Sequence, residues 1–220
     1  MKTALILGAS GGIGAALCAE YEARGCAVTG LSRRDDGFDI TDPVSVETHL
    51  TALDQRYDYI ICATGQLAGA GHPPEKSLKS LSAEAMMDQF RVNAMGPALI
   101  MRHVPQLLPR DRSCAFAVLS ARVGSIGDNQ LGGWYSYRAA KAAVNQLLRG
   151  ASIELRRSHP KAVLMALHPG TVDTSFTANF KGRDKLSPAQ AAQHLAEVID
   201  RKTPEQSGQF YDWADTQVPW

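Results

Sequence analysis

The chain has 220 residues, 45% of them hydrophobic, and its 23 basic and 22 acidic side chains leave a formal net charge of +1. That length buries one sizeable core, and so even a balance offers nothing to draw nucleic acid or an anionic membrane. Four cysteines (Cys18, Cys26, Cys62, Cys114) and six histidines are scattered without a C-x-x-C pair or a cluster, so no metal site is apparent and the cysteines read as buried free thiols.

The first apolar run, 3–8, breaks into glycines and is too short for a signal peptide; no stretch is long enough to span a bilayer. A soluble, cytoplasmic setting is expected. The run suits a strand buried on both faces. A helix follows over 13–25, closed by Gly25, then a strand over 26–32. Asp42 and Pro43 begin the next helix as N-cap and first residue. A third strand over 57–65 leads to a polar loop over 66–81 that holds Pro73 and Pro74. From Ser82 a long helix is predicted, bent within by Pro97. Strands over 114–120 and 162–170 flank a helix carrying Tyr137, and a helix over 187–200 precedes a last strand over 208–213. Alternating helices and continuously apolar strands imply one doubly wound α/β domain with a mostly parallel sheet, covering 1–220.

In such a sheet a ligand lies beyond the carboxyl ends of the strands. The first strand-to-helix turn reads GASGGIG, with Gly8, Gly11, Gly12 and Gly14. No Gly-Lys-Ser/Thr follows, so it is not a P-loop. Residues without Cβ let a pyrophosphate approach the backbone and the helix N-terminus. At the end of the second strand, where an acid would hold the ribose of NAD, stand Ser32 and Arg33 with Arg34 behind. A guanidinium suits a 2′-phosphate, so NADP is preferred to NAD. Asp39, at the next strand-like point, is placed to reach the adenine.

In GGWYSYRAAKAAV (132–144), Tyr137 and Lys141 stand four apart and share a helix face, whereas Tyr135 points elsewhere. Together with the glycine turn, this Y-x-x-x-K spacing resembles the short-chain dehydrogenase/reductase family. VNAMG is similar to the family's mid-helix segment, with Asn93 as its asparagine, and HPGTVDT (168–174) to its P-G-x-V-x-T segment. The segment 120–143 and the ending SGQFYDWADTQVPW resemble the C-factor subgroup, related to carbonyl reductases.

The resemblance implies a Rossmann-type fold with a seven-stranded sheet and an NADP(H)-dependent oxidoreductase acting on a small apolar aldehyde or ketone and its alcohol. It implies that Tyr137 gives the carbonyl oxygen a proton as hydride arrives. Lys141 would stabilise the phenolate and hold the nicotinamide ribose, and Asn93 would support a water leading to the lysine. The implied cofactor site takes Ser10 and Ile13 with the four glycines, then Ser32, Arg33 and Asp39. It continues with Ala63, Thr64 and Gly65, with Asn93, Tyr137 and Lys141, and with Pro169, Gly170, Val172 and Thr174. The sequence departs from the family at Leu7, at Ala63 and at Ala121, where the family's second serine would fall. Ser120 is then the first candidate for the carbonyl-orienting serine, needing a bulge or bend to face the site, and Ser125 is the second. A substrate loop is expected at about 171–187, with Phe176, Phe180, Trp134 and Met95 as apolar wall and Arg138 solvated or at a subunit contact. A homodimer or homotetramer is implied. The competing function is a non-catalytic nucleotide-binding regulator on the same fold.

Overall fold

The apolar runs become strands β1 (Thr3–Leu7), β2 (Ala27–Leu31), β3 (Tyr59–Cys62), β4 (Cys114–Leu119), β5 (Ala162–His168) and β6 (Gln209–Asp212). They form one sheet in the order β2-β1-β3-β4-β5-β6, and every pairing is parallel. The computed structural model describes residues 1–180, 182 and 184–220.

Six strands, not the expected seven, make up the sheet, and the missing one would have flanked β2. The chain leaves β2 through a single helical turn, α2 (Arg33–Asp36), closed by Gly37 at φ 72°. A crossover to a further parallel strand takes about a dozen residues or more. The backbone of 38–42 is instead spent on turns: Asp39 N–H donates to Ser45 Oγ at 2.9 Å, and Thr41 N–H to Asp39 Oδ1 at 2.8 Å. β2 therefore stays at the edge.

The helices are α1 (Gly12–Ala23), α3 (Pro43–Thr51), α4 (Ala83–Phe90), α5 (Gly96–Met101), α6 (Val104–Leu107), α7 (Tyr135–Leu155) and α8 (Pro188–Arg201). Their starts follow capping chemistry: Asp42 Oδ1 accepts from Val44 N–H at 2.9 Å, and Ser187 and Gln190 form a reciprocal box. The sheet separates two cores by strand alternation. Leu5, Leu7, Ile60, Phe116, Val118, Leu164 and Ala166 pack on one side with Val46, Ile100, Val144 and Leu148. Ala4, Ile6, Ile61, Ala117, Leu119, Met165 and Leu167 pack on the other with Leu17, Tyr21, Leu195 and Ile199. So α3, α5 and α7 cover one face, and α1 and α8 the other. Each fully buried Leu or Ile contributes about 1.5–3 kcal/mol.

The long helix from Ser82 is interrupted by a π-helical turn, Arg91–Met95, between α4 and α5. Pro97 has no N–H, so the carbonyl of Asn93 four residues back loses its ordinary acceptor role and the turn widens. The four cysteines are free; Cys62 and Cys114 are buried, while Cys18 and Cys26 are half-buried. No helix among the described residues is long and apolar enough to cross a membrane.

Candidate active site

The chain enters α7 through three consecutive left-handed residues, Gly132, Gly133 and Trp134, at φ 62°, 64° and 50°. Two glycines adopt this without steric cost; Trp134 does not, and a residue with a Cβ spends roughly 1–2 kcal/mol there. The loop over 66–81 holds it in place. Glu75 O accepts from Trp134 N–H, and the buried Glu75 carboxylate accepts from Ser136 N–H at 3.2 Å and from the Ser136 hydroxyl. A carboxylate at a helix N-terminus also meets the favourable end of the helix dipole. Arg138 is half-buried. Its guanidinium donates to Gly133 O at 2.9 Å, Gly132 O at 3.2 Å and Val123 O at 3.2 Å, bracing the same loop.

This entry sets Tyr137 and Lys141 on the buried face of α7, at 5% and 3% exposure. Lys141 Nζ donates to Leu119 O at 2.9 Å and lies 5.8 Å from the centre of the Tyr137 ring. Asn93, in the π-helical turn, is fully buried. Its Nδ2 donates to Gln66 O at 2.8 Å and Gln89 Oε1 at 2.6 Å, and its Oδ1 accepts from Gln66 N–H at 3.2 Å. Gly65 lies between Asn93 and Lys141, since a Cβ there would lie 3.1 Å from Asn93 Oδ1 and 3.5 Å from Lys141 Nζ.

Burial pushes the Tyr137 phenol well above its usual value and brings the Lys141 ammonium down to about 8. Both follow from desolvation of the charged forms. Against the expectation that Lys141 makes this phenol acidic, its shift here is upward and the cause is burial. The ammonium bonds the Leu119 carbonyl, and burial governs the phenol.

Ser120 needs no bulge. The regular β4–β5 ladder runs through Leu119↔Leu167, and Ser120 N–H continues it to Leu167 O at 2.8 Å. Ser120 and Ala121 line the large cavity with Tyr137 and Lys141. Ser120 Oγ is buried and, among the described residues, without a hydrogen-bond partner. Ser125 lies off that wall, and its Oγ accepts from Asp128 N–H at 3.0 Å.

The glycine turn faces the same cavity. Gly11, Gly12 and Ile13 line it together with Ala63, Thr64 and Gly65, and with Pro169, Gly170, Val172 and Thr174. A Cβ on Gly12 would come within 2.5 Å of Thr174 Cγ2, and one on Gly14 would collide with Gly8 O. Gly8 itself sits at φ 93°. Ser10 lies in the turn but off the cavity wall. Ser32, Arg33 and Asp39 also lie outside that wall, at the end of β2. Buried Ser32 caps α2, accepting from Asp35 N–H at 3.1 Å. Arg33 is exposed and has no ion pair among the described residues, whereas Arg34 is paired with Asp35 at 2.8 Å. One Asp39 oxygen is taken by the backbone and hydroxyl of Thr41, and these bonds hold the carboxyl below its usual range.

The cavity encloses about 620 Å³ and has an aromatic wall. Trp134 lies 6.2 Å from Tyr137 and 5.7 Å from Phe180 between ring centres, and Tyr137 lies 6.2 Å from Phe176. Met95, expected in that wall, is exposed on the π-helical turn instead. Within the expected substrate loop, Lys181 and Arg183 fall outside the described residues. Sequence reasoning missed Glu75, the bracing role of Arg138, and His168, which lines the cavity at the end of β5. Burial brings the His168 imidazole down to about 4, so it is neutral at ordinary pH.

The model of the short chain dehydrogenase family matches residues 2–185. The chain is similar to 1-hydroxy-2-glutathionyl-2-methyl-3-butene dehydrogenase of Rhodococcus sp. (strain AD45), at 32% identity over 233 aligned positions spanning 100% of both chains. It is 39% identical over 139 residues to the C-signal protein of Myxococcus xanthus, covering 61% of this chain and 78% of that one. A carbonyl reductase from Pseudomonas aeruginosa PAO1 in complex with NADP has a TM-score of 0.83 at 25% identity, with 100% of each chain covered. The NADPH-bound carbonyl reductase from chicken fatty liver shares the fold, with a TM-score of 0.82 at 19% identity, covering 100% of this chain and 99% of that one. With its glycine turn, its Tyr137–Lys141 pair and this match along most of its length, the chain belongs to the short chain dehydrogenase family of oxidoreductases.

Proposed function

We propose that the protein is an NADP(H)-dependent carbonyl reductase that interconverts an apolar aldehyde or ketone with its alcohol. The observation that carries this is the buried Tyr137–Lys141 pair on the wall of a cavity that the glycine turn also lines.

The residues fit a dinucleotide. The first N–H groups of α1 have no intrahelical acceptors and open beside Gly11 and Gly12, which suits a pyrophosphate. Arg33 has no ion pair among the described residues, which suits a 2′-phosphate. The NADP and NADPH named for the two carbonyl reductases support the same choice. When bound, the coenzyme supplies or accepts the hydride. Ala63–Gly65 and Pro169–Thr174 would hold its nicotinamide half, with Lys141 on the ribose.

Tyr137, raised by burial, carries its proton at neutral pH and would donate it to a carbonyl oxygen in reduction and take it back in oxidation. Ser120 would orient that oxygen. Asn93, whose carbonyl is released by Pro97, would hold a water toward Lys141. The substrate is neutral and apolar because the cavity's charges are already engaged. Arg122 pairs with Asp128 and Asp212, Arg138 bonds three backbone carbonyls, and aromatic rings form the rest of the wall.

The test is NADPH oxidation with a panel of aldehydes and ketones. Tyr137→Phe should lower kcat by about a hundredfold or more while NADPH still binds. Tight NADPH binding without turnover of any carbonyl would favour the regulator instead. The proposed assembly is a homodimer or homotetramer through α4 and α7, which expose Met87 (68%) and Ile153 (58%). A monomeric mass in sedimentation at micromolar concentration would refute it.

A further inference from the structure

Three neighbouring strands end side by side at the rim that carries Tyr137. The pairing Leu119↔Leu167 brings the next residues, Ser120 and His168, alongside one another, and His168 is in register with Asp212. Alternation sends all three toward the α7 face, where Val118, Ala166 and Phe210 of the same strands pack. Ser120 Oγ and His168 Nδ1 are both buried, and neither has a hydrogen-bond partner among the described residues. Both residues line the large cavity. Adjacent strands lie about 4.8 Å apart, so a hydroxyl and an imidazole in register can reach one bond, directly or through one water. Asp212 is otherwise engaged: its carboxylate accepts from Ala214 N–H and Thr216 N–H at 3.0 Å each, and Arg122 approaches at 3.5 Å.

A further observation makes such a partner useful. Ala121 stands where the family resemblance leads one to expect the active serine, so the serine one residue earlier has no neighbouring hydroxyl to share its task. We propose that His168 is a positioning residue for Ser120: with its hydrogen on Nδ1, the imidazole donates to Ser120 Oγ and leaves the serine hydrogen to point at the substrate oxygen that Tyr137 serves. The low proton affinity of the buried ring supports this, because a neutral imidazole carries one N–H and one acceptor nitrogen. The inference rests on the carbonyl-reductase reading above.

A double-mutant cycle tests it by NADPH oxidation, using wild type, Ser120→Ala, His168→Leu and the double variant. His168→Leu should lower kcat about tenfold or more, as loss of an orienting donor does, with KM moving less than about twofold. NADPH affinity, read by fluorescence, should not change. In the Ser120→Ala background the same substitution should cost less than about twofold, since its partner is gone. His168→Asn, whose amide N–H stands near the position of Nδ1, should restore most of the rate, and His168→Gln should not. These two polar variants also carry the test if His168→Leu fails to fold. Equal losses in both serine backgrounds, or equal rates for Asn and Gln, would overturn the role of His168 while Tyr137-dependent turnover stands. Absence of any turnover in wild type would overturn the carbonyl reading and this inference with it.

Discussion

At the scale of single residues, the site is governed by dryness. Lys141 is nearly without exposure, and burial takes its ammonium from 10.5 to about 8. The native lysine thus binds protons more weakly than the unfolded one. Between those values the unfolded state holds more protons, so stability rises with pH; below about 8 both states are protonated and the full cost of burial stands. Wild type should gain about 2 kcal/mol between pH 8 and 10 in urea titrations, and Lys141→Met should lack that gain. A parallel slope in both proteins would show that the lysine is better solvated than its position suggests. Arg33 gives a second residue-scale prediction. Arg33→Ala should weaken NADPH by about tenfold or more and leave NADH within about twofold, as loss of a charge-assisted phosphate contact does; an unchanged preference would transfer the choice of coenzyme elsewhere.

At the scale of elements, the position of Tyr137 depends on how α7 begins. Glu75 holds Ser136 and the left-handed Trp134, and Arg138 ties both glycines. Glu75→Ala removes a cap and leaves Ser136 N–H unpaired, so it should cost about 1–2 kcal/mol in stability. It should also lower kcat, while Glu75→Gln should keep most of both. The strands, the starts of α3 and α8 and the Tyr137–Lys141 face were legible in the sequence, because each follows from a pattern within a few residues: apolar runs, Asp-Pro and Ser-Pro starts, a spacing of four. Glu75, Arg138 and His168 were not. The role of Glu75 arises between segments 61 residues apart, that of Arg138 from a loop folding back on its own helix, and that of His168 from register across strands, and no local pattern records these. The π-helical turn lay between these cases: Pro97 announced a disturbance but not its form. The seventh strand was expected from resemblance alone, and the turn chemistry of 37–42 removed it.

At the scale of the whole molecule, coenzyme binding should stabilise the fold by mass action. NADPH at about a hundred times its Kd adds about 2.7 kcal/mol, or roughly 5–10 °C in Tm for a chain of this size, and NADH at equal concentration should give less. A shift of equal size with both would count against Arg33 as the selector. Because all six strands run the same way, their carboxyl ends gather Tyr137, Lys141, Ser120 and the glycine turn at one rim. The opposite rim is fastened by other means: Arg112 pairs with Asp58 at 2.6 Å, Asp58 accepts from Thr3 N–H at 2.9 Å, and Lys161 bonds Asp111 O at 2.7 Å. The molecule thus has a working end and a handling end. A surface tether or reporter fixed at exposed Asp54, in the turn between α3 and β3, would sit at the handling end and leave the mouth of the cavity open to both coenzyme and substrate.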